Sequence, residues 1–252
     1  MKLDGGVAVV TGAAAGTGRA IALRLAAEGA TVVVADVDAA GARETLERIG
    51  TRGGRARFVR TDMTRDDDVA AMVAAAGGAL RVLVNNAGGG GHVPPHFPDA
   101  TPAQWGATLA LNLRGAMLAT QLALAPMRAA GGGAVVNIAS SAGLGSGQYA
   151  SPEYAAAKAG LIRFSTSLAG LRERMGVRVT CVVPDWILTE RAQGELARMS
   201  AAERAAAPVP LAMEEVADAV VAFARDESLA GRVCVLQGGE PARLLPPSAL
   251  EA

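Results

Sequence analysis

The chain has 252 residues, of which 51% are hydrophobic, and it carries 24 basic and 24 acidic residues. This length and apolar content suit one compact domain with a substantial core, and the balanced charge gives no basic surface that would attract nucleic acid or a membrane. No stretch reaches the roughly 18 to 20 apolar residues of a membrane span, and the start of the chain lacks the apolar segment of a signal peptide. We therefore expect a cytoplasmic protein with neither a nucleic-acid nor a membrane partner.

The two cysteines and the two histidines of the chain lead to two further expectations. Cys181 and Cys234 both lie in apolar runs of strand-like sequence, where a buried, reduced thiol is the usual state of a cysteine. His92 and His96 share a loop rich in proline and glycine, and the further ligands that a zinc site needs do not accompany them. We therefore expect reduced cysteines and no bound metal.

The first motif is a glycine-rich turn between a strand and a helix. The apolar run at 7–10 leads into the sequence TGAAAGTG at 11–18, after which apolar residues recur at helical spacing. Glycines let the backbone approach a pyrophosphate closely, and the free amides at a helix N-terminus face its charge. A second strand at 31–35 ends at Asp36, about twenty residues on, where a carboxylate accepts hydrogen bonds from ribose hydroxyls. The pattern predicts a dinucleotide site, with a tight turn that binds nothing as the alternative.

After Asp36 the chain continues to alternate between helix and strand. A helix at 39–49 and a third strand at 56–59 make a βαβαβ unit, which gives a parallel sheet with right-handed crossovers. The further predicted helices are at 66–76, 103–127, 153–175 and 214–224, and the further strands are at 81–84, 134–138, 177–183 and 232–236. We predict a single doubly wound, Rossmann-type α/β domain over 1–240, with helices on both faces of a mostly parallel, about seven-stranded sheet. The tail at 241–252 is predicted to be irregular.

Three motifs resemble those of the classical short-chain dehydrogenase/reductase family. The glycine spacing TGxxxGxG at 11–18 is the first, and the sequence Asn-Asn-Ala-Gly at 85–88, which ends the fourth strand, is the second. The third is Tyr154-Ala-Ala-Ala-Lys158, whose i, i+4 spacing places a phenol and an ammonium group one turn apart on one face of a helix. The resemblance covers residues 5 to about 240 and implies a dehydrogenase with a dinucleotide cofactor.

The resemblance also implies a catalytic group made of Ser140, Tyr154, Lys158 and Asn112. Lys158 supplies a cation that favours the phenolate of Tyr154, which then exchanges a proton with the substrate oxygen while Ser140 holds that oxygen. Asn112 distorts its helix locally and holds a water that continues a proton relay to solvent. The gap from Ser140 to Tyr154 is one residue longer than usual in the family, and Ser141 would restore it. We favour Ser140, because the preceding strand fixes its position.

The cofactor residues implied by the resemblance lie at several strand ends. Asp36 would bind the two hydroxyls of the adenosine ribose of NAD, whereas Ala15 and Val37 stand where NADP-binding members carry a cation. Asp62 is assigned to the adenine, with an N-cap of the following helix as the alternative. The full predicted set is Gly12, Ala15, Gly16, Thr17, Gly18, Asp36, Val37, Asp62, Met63, Asn86, Ala87, Gly88, Tyr154, Lys158, Pro184 and Thr189. NAD is therefore the expected cofactor.

Two departures from the family pattern lie towards the C-terminal end. Asp185 stands where glycine is usual in the segment 184–189, and Gln237 stands where aspartate usually precedes two glycines. Aspartate tolerates unusual backbone angles better than most residues, so we expect the turn at Asp185 to survive, with contact between its carboxylate and the substrate as the alternative. The charged segment 190–210 is predicted to form a mobile lid over the substrate.

The predicted function is hydride transfer between NAD(H) and a small-molecule secondary alcohol or ketone. The alternatives are an NADP-linked ketoreductase of the 3-oxoacyl, acyl-carrier kind and an NAD-binding regulatory protein without turnover. The helices at 108–127 and 154–175 are apolar around more of their circumference than packing on a sheet requires, which predicts a homodimer or homotetramer.

Overall fold

The computed structural model describes residues 1–145 and 148–246, and it contains one eight-stranded sheet. Its strands are β1 (Val7–Thr11), β2 (Thr31–Asp36), β3 (Arg55–Arg60), β4 (Leu80–Asn85), β5 (Gly133–Ile138), β6 (Val177–Pro184), β7 (Val233–Leu236) and β8 (Arg243–Leu244). They stand in the order β3-β2-β1-β4-β5-β6-β7-β8, and β1 to β7 are all parallel. The predicted doubly wound α/β fold is confirmed.

Helices cover both faces of this sheet. They are α1 (Gly16–Ala27), α2 (Ala39–Gly50), α3 (Asp66–Ala75), α4 (Pro102–Leu109), α5 (Gly115–Ala129), α6 (Pro152–Ser167), α7 (Leu171–Met175), α8 (Glu190–Arg198), α9 (Ala201–Ala206) and α10 (Met213–Arg225). The first core packs α1, α2 and α10 on one face, and α3, α5 and α6 pack on the other. Because neither face meets water, the central strands are continuous apolar runs, and every residue of β6 is buried.

The order of the strands reverses beside β1. From β1 the chain proceeds outward to β2 and β3 on one side, then crosses to β4 and continues through β7 on the other. Loops that leave the carboxyl ends of β1 and β4 therefore diverge and leave a crevice, which is where open α/β sheets bind ligands. The glycine turn, the Asn-Asn-Ala-Gly segment and the serines after β5 all follow strand ends at this edge.

The end of the chain departs from the prediction. Arg243–Leu244 forms β8, which pairs antiparallel with β7 through Cys234 and Val235, so the sheet has eight strands and the tail is not irregular throughout. The backbone amide of Leu245 also donates to Val233 O at 2.9 Å. Two residues are too few to show a strand period in sequence. Residues 247–252 lie outside the described residues.

Two predicted helices are interrupted. The helix at 103–127 contains a π-helical turn, Ala110–Arg114, between α4 and α5. The helix at 153–175 is divided into α6 and α7 by residues 168–170, where Gly170 disfavours helix. Within the part of the chain that the structure describes, no helix is both long enough and apolar enough to cross a membrane.

Candidate active site

A cavity of about 570 Å³ opens at the carboxyl edge of the sheet. Its walls come from the glycine turn, the ends of β4, β5 and β6, and helices α6 and α8. The predicted site residues that line it are Gly12, Ala15, Gly16, Thr17, Gly18, Asn86, Gly88, Ser140, Tyr154, Lys158, Pro184 and Thr189. The predicted residues outside this lining are Asp36, Val37, Asp62, Met63, Ala87 and Asn112. The fold thus brings most of the predicted residues around one space.

The glycine turn is shaped by backbone contacts that leave no room for side chains. Gly12 and Gly16 have positive φ angles of 67° and 52°, which favour glycine. A Cβ at Gly18 would overlap the Gly12 carbonyl oxygen and lie 2.6 Å from Asn86 Nδ2. The N-cap of α1, Ala15, offers no side-chain acceptor to the first amides of the helix. Those amides therefore suit an external anion such as a pyrophosphate.

The Asn-Asn pair joins the neighbouring strand ends. Asn86 Nδ2 donates to Thr11 O at 2.9 Å, and the backbone amide of Ala87 donates to Thr11 Oγ1 at 2.9 Å. On the other side, Asn85 Nδ2 donates to Asn137 Oδ1 at 2.8 Å. These bonds link β1, β4 and β5 at their carboxyl ends, so the floor of the cavity is held by side chains as well as by the sheet.

Asp36 is oriented towards the glycine turn. Its Oδ2 accepts from the Ala14 amide at 2.9 Å, and its Oδ1 accepts from the Asp38 amide at 3.0 Å. Val37, the next residue, has 56% of its surface exposed. Arg60 pairs with Asp36 in the strand register, and its guanidinium lies 3.6 Å from an oxygen of Asp68. A carboxylate held in this way keeps lone pairs for further donors at the strand end.

Asp62 does not cap the helix that follows it. Its Oδ1 accepts from the Thr64 hydroxyl at 2.7 Å and from the Thr64 amide at 2.9 Å, and these bonds lower the pKa of Asp62. The N-cap of α3 is Arg65, without a side-chain hydrogen bond. The N-cap alternative is therefore wrong, because α3 begins three residues too late for it. The side chain of Met63 is buried in the core beside α3.

Asn112 lies in the π-helical turn and is 1% exposed. Its Oδ1 accepts from the Gly89 amide at 2.9 Å, while its Nδ2 donates to Gly89 O at 2.9 Å and to Thr108 O at 3.0 Å. The local distortion of this helix is therefore present as predicted. Both amide hydrogens are in use, so the side chain fastens the loop after β4 and keeps one lone pair on Oδ1.

Lys158 is buried beneath the cavity, with 3% of its surface exposed. Its Nζ donates to Ile138 O at 3.0 Å and lies 5.6 Å from the centre of the Tyr154 ring. Burial lowers the pKa of this amine from 10.5 to about 8. A Cβ at Gly88 would lie 3.1 Å from Nζ and 2.7 Å from Asn112 Oδ1, so glycine is needed where these two groups approach the loop.

The pKa of Tyr154 departs from the sequence-based expectation. Burial raises it above its ordinary value, and a hydrogen bond with Ser140, which lowers it, has the smaller effect. Lys158 does not depress it, because Nζ is directed to Ile138 O rather than to the phenol oxygen. The phenol is accordingly protonated at neutral pH.

The two serines after β5 have different partners. Ser140 lies near the Tyr154 phenol and lowers the pKa of that phenol, and its Oγ accepts from the Ala142 amide at 3.3 Å. Ser141 Oγ donates instead to Asp185 Oδ1 at 2.6 Å. Asp185, the aspartate at a usual glycine position, thus fastens the turn that begins at Ser141 to the end of β6.

The cavity is also lined by Tyr149, Trp186 and Arg191, which were not among the predicted site residues. The ring of Tyr149 stacks on that of Tyr154, with centroids 6.3 Å apart and planes at 21°. Tyr149 and Trp186 lie on loops and Arg191 lies on the first turn of α8, so no strand or helix period marks these three residues.

The thiols lie away from this chemistry. Cys181 and Cys234 are both buried and unpaired with each other, and burial raises the pKa of Cys181 to about 12. Among residues 1–145 and 148–246, no group of three His, Cys, Asp or Glu side chains is arranged to hold a metal ion.

Comparison with known proteins places these features in a family. Residues 6–200 match the family model described as short chain dehydrogenase. The cis-4-hydroxycyclohexanecarboxylate dehydrogenase of Sinomonas cyclohexanicum is 41% identical over 239 residues, which cover 92% of this chain and 95% of that protein.

Solved structures agree with this match. One from Burkholderia xenovorans, provisionally described as a short-chain dehydrogenase/reductase, has a TM-score of 0.83 at 37% identity and covers 94% of this chain and 97% of its own. Another from Agrobacterium tumefaciens, provisionally described as a 2-deoxy-d-gluconate 3-dehydrogenase with bound NADP, has a TM-score of 0.82 at 31% identity, with the same coverage. The chain belongs to the short-chain dehydrogenase/reductase family and is an oxidoreductase that transfers hydride between a nicotinamide cofactor and an alcohol or ketone.

Proposed function

We propose that this protein uses NAD(H) and that Tyr154 is the acid/base in the oxidation of a secondary alcohol or the reduction of its ketone. The observation that carries the proposal is that Ser140, Tyr154 and Lys158 line one cavity together with the glycine turn, with Lys158 buried and bonded to Ile138 O. The glycine turn fits a dinucleotide, because the first amides of α1 have no side-chain cap and are available to a pyrophosphate. When bound, the nicotinamide supplies or accepts the hydride.

The protein's own groups move the proton. Ser140 holds the substrate oxygen beside the Tyr154 phenol, which donates a proton to that oxygen as the carbonyl is reduced. Because burial raises the pKa of Tyr154, the phenol is ready for this direction at neutral pH. In alcohol oxidation the phenol must first lose its proton. Lys158, whose pKa is about 8, lies 5.6 Å from the centre of the ring and is bonded to Ile138 O, so it is not placed to take that proton directly.

Asp36 supports NAD as the cofactor. Its carboxylate is held towards the glycine turn by the amides of Ala14 and Asp38, which is where the adenosine ribose of a dinucleotide lies in such folds. The 2′-phosphate of NADP would meet this charge. An NADP-linked ketoreductase remains the second candidate, because a structural relative binds NADP and Arg60 stands beside Asp36 in the sheet. A binding protein without turnover is the third, and the presence of every catalytic group speaks against it.

The cavity supports a ring-bearing hydroxy acid as the substrate. Tyr149 offers a flat apolar surface beside Tyr154, Trp186 offers another in the cavity lining, and Arg191 offers a cation. Glu195 binds only Nη1 of that guanidinium, at 2.5 Å, which leaves further donors for a carboxylate. Two acids, Asp185 and Glu190, line the same cavity, and Asp185 is occupied by Ser141. The 41% identical relative is named for a hydroxycyclohexanecarboxylate, which matches this set of groups.

We also propose that the protein is a homodimer or homotetramer and that it is cytoplasmic. Met117 on α5 is 41% exposed, which supports an apolar contact surface on that helix. Two buried, unpaired cysteines support a reducing compartment. The charged segment 190–210 contains α8 and α9, and its first residues, Glu190 and Arg191, line the cavity, which supports a lid.

Tyr154→Phe keeps the ring and removes the exchangeable proton. Turnover should fall by at least about a hundredfold, while NADH binding stays within twofold, as measured by steady-state kinetics and fluorescence titration. Ser140→Ala should be comparably damaging, and Ser141→Ala, made as its matched control, should cost far less because its hydroxyl binds Asp185. Damage confined to Ser141→Ala would show that the wrong serine has been assigned.

Lys158 is expected to reduce the stability of the fold. Because its folded-state pKa of about 8 lies below the ordinary 10.5, the penalty is fully present below pH 8 and fades as the pH rises to 10.5. This difference in pKa corresponds to a destabilisation of about 3 kcal/mol, which the hydrogen bond of Lys158 to Ile138 O partly offsets. Lys158→Met should therefore raise the free energy of unfolding by about 1 to 2 kcal/mol at pH 7 and by less at pH 10, in urea titrations. A gain independent of pH would contradict this account of the buried amine.

NADH should bind at least about tenfold more tightly than NADPH, or 1.4 kcal/mol, because Asp36 faces the ribose. Val37→Arg adds a cation without touching the hydrogen bonds of Asp36 and should narrow the ratio, and combining it with Asp36→Ala should narrow it further or reverse it. Dissociation constants from fluorescence titration give the ratio. Equal affinities in the unmodified protein would mean that Asp36 does not meet the ribose.

Arg191→Gln tests the substrate class. It should lower kcat/KM for 4-hydroxycyclohexanecarboxylate by at least about tenfold and change that for the methyl ester by less than about twofold, because only the acid loses an ion pair. Arg198→Gln, at the other end of α8 and outside the cavity lining, is the control. Equal losses on acid and ester, with weaker NADH binding, would assign Arg191 to the cofactor phosphates instead.

A further inference from the structure

A buried carboxylate lies directly before the proposed acid/base. Glu153 is 8% exposed, and its Oε1 accepts from Ser151 Oγ at 2.9 Å and meets His96 Nδ1 at 2.8 Å. Its Oε2 accepts from the Phe97 amide at 3.3 Å. Ser151 is close in sequence, but His96 and Phe97 belong to the long loop between β4 and α4. Glu153 thus joins that loop to the first turn of α6.

The donors decide the charge of this carboxyl group. Burial alone would raise its pKa, but the hydrogen bonds that it accepts, including those from His96 and Ser151, outweigh burial and bring the pKa to about 2. Glu153 is therefore ionised at any working pH and is an acceptor only. It follows that Nδ1 of His96 carries the hydrogen of the bond between them. Removing these donors would leave a buried charge without partners, which is strongly unfavourable.

The same loop is held at two other points close to the proposed chemistry. Its start is fastened where the Gly89 amide donates to Asn112. Its next turn lies on the acid/base itself, because a Cβ at Gly91 would be 2.9 Å from both Cγ and Cδ1 of Tyr154. Two consecutive residues therefore hold the loop: Glu153 through the hydrogen bonds that its carboxylate accepts, and Tyr154 through contact with its ring.

We propose that Glu153 is a positioning residue: through His96 and Phe97 it keeps residues 89–97 packed against the Tyr154 ring, so that this side of the substrate site has one shape. The proposal rests on the proposed role of Tyr154. The placement of Glu153 argues for a role beyond stability, since its bonds run from the helix that carries the acid/base to the loop that lies on the Tyr154 ring. Loss of these bonds should therefore lower kcat/KM for the substrate and leave the affinity for NADH unchanged.

Kinetics and hydrogen exchange test the proposal together. Glu153→Ala and His96→Ala should each lower kcat/KM for the alcohol by at least about tenfold, with the NADH dissociation constant within twofold. His96→Asn should recover most of the loss, because its side-chain amide offers a donor where Nδ1–H was. The double variant Glu153→Ala/His96→Ala should be no worse than Glu153→Ala alone, as expected of partners in one interaction. His92→Ala, in the same loop but exposed, should leave kcat/KM within twofold.

Hydrogen exchange separates this proposal from the proposed function. Amides of residues 89–97 should exchange faster in both single variants, while those in the second half of α6 should not change, whether or not the protein turns over the chosen alcohol. If Glu153→Ala does not fold, the His96 variants carry both measurements. Unchanged exchange in the loop, effects that multiply in the double variant, or no recovery in His96→Asn would overturn the proposal.

Discussion

The site depends on the bond that the buried ammonium of Lys158 makes to Ile138 O. Ile138 is the last residue of β5, so this bond fixes α6 relative to the end of that strand. Ser140 follows two residues later and lines the same cavity as Tyr154, which lies one helical turn before Lys158. The neighbouring serine, Ser141, is bonded to Asp185 instead.

Much of this arrangement was predictable because its signals are local. Strand, glycine turn and helix follow from short-range patterns, and parallel strands place their ends on one edge. The tyrosine and lysine share a face because of the helical period. The bond of Asn86 to Thr11 likewise follows from two strand ends becoming neighbours.

The remainder depends on packing between distant segments. The sequence does not reveal that Leu244 pairs with Cys234, that Tyr149 stacks on Tyr154, or that His96 meets Glu153, because no period or spacing connects such residues. The expected lowering of the Tyr154 pKa was wrong for the same reason. Spacing places a cation nearby, but only the fold shows that burial has the larger effect and that the cation is directed elsewhere.

In the proposed mechanism one group, Tyr154, exchanges the proton in both directions. The most direct test is the pH profile of kcat/KM measured for alcohol oxidation and for ketone reduction with the same substrate pair. A single acid/base must be deprotonated for oxidation and protonated for reduction. We therefore expect kcat/KM for oxidation to rise with pH and kcat/KM for reduction to fall with pH. Profiles that are flat, or that change in the same direction, would contradict it.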